Sequence, residues 1–280
     1  MKTGKMILAI ILSVLALVVS QLAATLIASV VVLVNIPAFI GNMLAGVLYI
    51  VFAYLLVRLL CKKLLKDEMS NYNIPSFKLE VKWCVVAFFL PIAVVAFYLL
   101  FMPGSFELNA LDTNSKLELI SATVFFIGCG AGVVEEMVFR GIMMSVVEKR
   151  FNKTVAIIVP SFLFGLVHIL GMGFDLLSCT LVVLAGTMVG VMFSLIASST
   201  KSVWNSAIVH AVWNMIIGGS ILWVGTEFDE YSMVTYKLDV TSFWLTGGDF
   251  GIESSIVAVI GYCIVCLLVV LFDKMKVQNA

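Results

Sequence analysis

SATVFFIGCGAGVVEEMVFRGIMMSVVEKR, residues 121–150, decides how this chain is read. It opens on an uncharged run up to Val134, then sets Glu135, Glu136 and Arg140 among apolar residues, and closes on Lys149 and Arg150. A segment of about 20 mainly apolar residues crosses the hydrocarbon core of a bilayer. Ionisable groups inside such a segment are costly to bury and mark a functional site by default. These three therefore need partners or a task.

Working outward, the rest of the chain shares that apolar character. Of its 280 residues 62% are hydrophobic and 12% charged, where a soluble domain has roughly 45–50% and about 25%. The chain reads as an all-α, polytopic membrane helical bundle. Lys plus Arg and Asp plus Glu each number 17, so net charge names no partner; a lipid bilayer is expected and no nucleic acid. The six cysteines (Cys61, Cys84, Cys129, Cys179, Cys263, Cys266) fall in or beside apolar runs. They read as reduced small hydrophobes, not as a disulfide frame. The apolar N-terminus continues to about Pro37, roughly twice the length of a cleavable signal core, and is expected to remain as a first membrane helix.

Eight segments qualify, or nearly so, as spans: 6–35, 39–61, 83–103, 117–147, 154–170, 174–197, 202–225 and 254–272. Placing the N-terminus inside puts 14 of the 17 basic residues in cytoplasmic segments 1–5, 58–82, 148–153, 198–201 and 273–280. The opposite loops hold Lys116 and Lys237 with ten acidic residues, counting Glu118 and Asp175 at the outer ends of their spans. This satisfies the positive-inside rule, with both termini cytoplasmic. Three regions follow: 1–110 with N-terminal transmembrane helices, 117–220 as a core, and 226–280 with an outer loop and the final helix.

The two histidines, His168 and His210, also fall inside expected spans. At 1.5 Å per residue, Glu135 stands roughly 22 Å from Arg150, His168 about 21 Å from Thr154 and His210 about 12 Å from Ser202. All three belong to the middle zone of the bilayer. Glu136 and Arg140, at i and i+4, share a helix face and can pair; that reads first as a structural pair. Glu135 is turned about 100° away and needs a partner from another helix. His210 and Asn214 are again at i and i+4, bringing an imidazole and an amide together. Gly128, Gly130, Gly132 and Gly141 permit close helix approach. Gly186 and Gly190 form a G-x-x-x-G that serves internal packing at least as readily as dimerisation.

A carboxylate, two imidazoles and an amide suit hydrolysis by activated water: a base takes the proton and donors hold the oxyanion. The same inventory suits one zinc ion held by His168, His210 and Glu135 with an open position. The residues alone do not choose between these. No H-E-x-x-H, no G-x-S-x-G and no Cys beside a His is present, so zincin, serine and cysteine chemistry lack support.

In order, E-E-x-x-x-R (Glu135, Glu136, Arg140), F-x-x-x-H (Phe164, His168) and H-x-x-x-N (His210, Asn214) resemble the motifs of the CPBP intramembrane proteases (Abi family). That family includes type II CAAX prenyl endopeptidases and lysostaphin-resistance-like proteins. The resemblance covers roughly 117–220; the first hundred residues and loop 226–253 add nothing to it. It implies that Glu135 activates water with help from His168. His210 and Asn214 would position substrate or stabilise the oxyanion, and Glu136–Arg140 would support the site. The family is usually labelled metalloprotease, although a metal-independent glutamate mechanism is also proposed for it; Asn214 beside His210 favours the latter here. The expected substrate is a hydrophobic peptide or membrane protein at the plasma membrane of a bacterium. A non-catalytic bacteriocin-immunity or interaction scaffold is the rival reading. A proton-coupled transporter is a second, without the inverted repeat it would favour.

Overall fold

The structure is a computed structural model that describes residues 1–170, 172 and 175–278. The first residue of the expected 174–197 span and the last two of the expected 273–280 tail lie outside the described residues. Among the described residues, six helices are long and apolar enough to cross a membrane. They are α1 (Thr3–Leu33), α2 (Ala38–Leu65), α3 (Val81–Phe101), α4 (Thr113–Glu148), α6 (Leu176–Thr200) and α8, which runs Ile256–Gln278 behind a 3₁₀ turn, Gly248–Ser254. Between them lie α5 (Lys153–Val167) and α7 (Val203–Ile216), of 15 and 14 residues. The protein is thus a helical membrane bundle, and two of the eight expected segments are shorter than a full span.

One expected boundary is corrected. The segment 202–225 does not continue as one helix: α7 stops at Ile216, and Leu222–Gly225 is a strand, β2. Gly218 and Gly219 follow the helix end, where glycine loses most on being ordered into a helix. β2 pairs in parallel with β3 (Val234–Leu238), and β3 pairs antiparallel with β1 (Gly104–Leu108), which follows α3. The register sets Phe106 against Tyr236 and Val224 against Tyr236. This small sheet ties the ends of α3 and α7 to the segment before α8.

The helices are packed as lipid-facing helices pack. On α1 the buried positions are Met6, Ala9, Ser13, Ala16, Ser20, Ala24 and Ala28, while Leu15, Leu22 and Leu26 face outward. Without a hydrophobic drive between helices in lipid, small residues at the contact let backbones approach. The G-x-x-x-G of α6 works internally: Gly186 and Gly190 lie against Gly165 and Ser161 of α5.

α4 is the hub. Val134, Met137 and Ile142 pack into a cluster with α1 and α2, whereas Val138, Phe139 and Met143 pack with α3, α5, α6, α7 and α8. Glu136 and Arg140 lie on the seam between the two. Around them the helix widens into π-turns over Ala122–Ala131 and Met137–Met143, a distortion often found at functional sites. In the second, the Arg140 carbonyl accepts from Asn73 Nδ2 at 3.3 Å.

Candidate active site

The site forms where α4, α5, α6 and α7 meet. Gly132 brings α4 onto α7: a β-carbon there would stand 2.8 Å from Ala211 N and 2.9 Å from Ala211 Cα. Only glycine allows that approach, one turn before Glu135 and Glu136 and beside His210.

The two neighbouring carboxylates receive different surroundings. Glu136 is fully buried, and its Oε1 accepts from Arg140 Nη1 at 2.8 Å and from His210 Nδ1 at 3.1 Å. Arg140, equally buried, donates through Nη2 to Gly190 O at 3.3 Å. Its guanidinium lies 4.3, 5.2 and 5.7 Å from the ring centres of Phe164, Phe193 and Phe139. Such a cation over aromatic faces gains further when desolvated. The expected structural pair is therefore present, and it has aromatic walls on three sides.

Glu135 is turned away from this pair and keeps 23% of its side-chain surface open. Its Oε2 lies 3.8 Å from His210 Nε2. His210 thus bridges the carboxylates, with its ring stacked on Phe193 at 4.6 Å. A carboxylate only accepts, so the Nδ1 proton of His210 points to Glu136 and Nε2 faces Glu135.

His168 closes α5. Its Nδ1 contacts Phe164 O at 2.6 Å; a carbonyl only accepts, which leaves Nε2 as the lone-pair nitrogen of the neutral ring. His168, His210 and Phe164 line a small cavity of about 20 Å³, room for a single water. Asn214, one turn beyond His210, donates from Nδ2 to Ile127 O at 3.1 Å. It thereby anchors α7 to the first π-turn of α4, and its second N–H remains for another acceptor.

The expected zinc ligands do not converge. Among the described residues, no three His, Cys, Asp or Glu side chains gather closely enough for a metal ion. The donor set His168, His210 and Glu135 does not fit a metal in this arrangement.

One residue escaped the sequence reading. Glu253, in the outer segment expected to add nothing, lines the same cavity as the two histidines. Its Oε1 accepts from Trp213 Nε1 at 3.1 Å, and its backbone carbonyl accepts from Tyr262 OH at 2.9 Å. A lone carboxylate at the edge of the 254–272 apolar run was the available signal.

Fold and site together define a polytopic membrane protein with a buried carboxylate–imidazole centre. Residues 117–216 match the family described as type II CAAX prenyl endopeptidase Rce1-like, and all three motifs lie inside that segment. Over that segment, about a third of its length, the chain is similar to this family. The chain is also similar to the Bacillus subtilis (strain 168) protein named "Putative membrane peptidase YdiL", with 23% identity over 182 residues, 61% of this chain and 69% of that one. No solved structure matches it.

Proposed function

We propose that the protein is an intramembrane endopeptidase that hydrolyses a peptide bond of an apolar or membrane-associated substrate, using water activated by Glu135. It acts in the plasma membrane with both termini cytoplasmic, as the distribution of Lys and Arg favours. The observation that carries this reading is the division between adjacent carboxylates. Glu136 is held by Arg140 and His210, whereas Glu135 is partly open and 3.8 Å from His210 Nε2.

In the reaction Glu135 accepts a proton from water as the oxygen attacks the carbonyl carbon. His168 Nε2 helps to orient that water. The second N–H of Asn214 faces the developing oxyanion, while His210, its Nε2 turned to Glu135, positions that base, and Arg140 holds Glu136 so that His210 keeps its orientation. General base catalysis of this kind contributes on the order of 10² to 10⁴ in rate.

The test compares the small-peptide and membrane proteome of cells making wild type with cells making equal amounts of Glu135→Gln. Fragments that vanish only in the variant support the protease and name its substrate. Identical proteomes, with the variant's phenotype intact, would replace this reading by the immunity or scaffold one.

A further inference from the structure

Glu253 stands between two spaces. On one side is the water-sized cavity it shares with His168 and His210. On the other is a cavity of about 260 Å³ lined by Val95, Ile217, Leu222, Val224 and Ile252, which Glu253 also borders. Oε1 is fixed by Trp213, a residue of the first cavity. Oε2 lies 3.6 Å from the point where a β-carbon on Gly218 would stand, and Gly218 lines the second. Among the described residues, no Lys or Arg lines either space.

The carboxyl group is rigidly presented. Gly251 adopts φ 75° and ψ −169° inside the 3₁₀ turn, a conformation essentially reserved for glycine. Ser254 Oγ donates to Gly247 O at 2.6 Å and to Gly251 O at 3.2 Å, locking the turn. Phe250 is thereby set 6.0 Å from the His168 ring, and Glu253 beside Trp213. This is elaborate construction for a carboxylate that pairs with no Lys or Arg among the described residues.

We infer that Glu253 is a further catalytic residue, the general acid that protonates the leaving amine. The inference rests on the endopeptidase reading above. Two carboxyl groups in contrasting surroundings divide acid and base roles. Glu135 is partly open beside an imidazole, and Glu253 stands in an aromatic wall with one indole N–H. The peptide carbonyl lies at the histidines, and the leaving side extends into the larger apolar cavity.

The step balances. Water gives one proton to Glu135, and its oxygen bonds to the carbonyl carbon. As the tetrahedral oxyanion collapses, the C–N bond breaks and its electron pair takes the proton of Glu253. The products are a carboxylic acid and an amine. The proton on Glu135 then returns to Glu253 through water, restoring both groups.

The test uses the purified full chain in detergent and two internally quenched apolar peptides of one sequence. One has an ordinary amide at the scissile position, the other a thioester. A thiol, with an ordinary pKa of about 8.5, leaves as thiolate without a proton donor. Glu253→Gln keeps an oxygen to accept from Trp213 but supplies no proton. It is expected to lower the amide rate on the order of 10²-fold and leave the thioester rate within about threefold of wild type, whereas Glu135→Gln loses both. Equal losses on both substrates, or no loss on the amide, would overturn the acid assignment and leave the endopeptidase reading intact. Failure of wild type on both peptides would count against the endopeptidase reading and remove the acid role with it.

Discussion

Glu135 and Glu136 are chain neighbours, yet one is 23% exposed with a single loose contact and the other has no exposed side-chain surface and two donors on one oxygen. A helix turns about 100° per residue, so adjacent side chains meet different neighbours. On α4 this sends Glu136 to the seam where Arg140 waits, and Glu135 to the open side. On the proposed function, the buried pair supplies rigidity and the exposed acid supplies reactivity. Neither can take the other's place, because the arginine follows only one of them at i+4.

That division can be broken in stages. The largest effect is expected from Glu135→Gln, with cleavage falling by about 10³-fold or more; thermal unfolding in detergent should match wild type. Loss of folding instead would mean that Glu135 is structural. Next comes Arg140→Leu, which leaves Glu136 buried without its cation and should cost about 3–5 kcal/mol, read as lower yield and melting temperature. Combining it with Glu136→Gln should recover part of that stability without restoring activity. Gly132→Val pushes a side chain against the Ala211 backbone, 2.8 Å away at the β-carbon. A clash of this kind typically costs about 1–3 kcal/mol, and it should lower activity by moving His210 from Glu135. The smallest effect belongs to Asn214→Ala. Removing its bond to Ile127 should cost about 0.6 kcal/mol, an average for such bonds in membrane proteins. A larger loss of turnover than of stability would then sharpen its part in holding the oxyanion.

The motifs on α4, α5 and α7 were legible because helical spacing is visible in a string of letters: Glu136 with Arg140, Phe164 with His168, His210 with Asn214. Their depth agreement followed from counting residues along apolar runs. Other parts were not legible. The aromatic walls of Arg140 draw on Phe164 and Phe193 from two other helices, and no local pattern announces that convergence. The strands β1 to β3 are four or five residues long, too short for alternation to stand out in a chain this apolar. The end of α7 at Ile216 was masked because Leu222, Trp223 and Val224 prolong the hydrophobic run past the two glycines. Glu253 was missed for a related reason. It reaches the site through irregular backbone around Gly251, where neither helical nor strand periodicity applies.

The lengths of α5 and α7 have a consequence for the bilayer itself. At 1.5 Å per residue these helices are about 22 and 21 Å long, against a hydrocarbon layer of about 30 Å. Lipid meets such a shortfall by thinning locally, at a modest cost per ångström of mismatch. Of the two, α5 carries exposed apolar side chains (Ile158, Val159, Phe162) and α7 carries none, so the shortfall in length meets lipid at α5 and protein at α7.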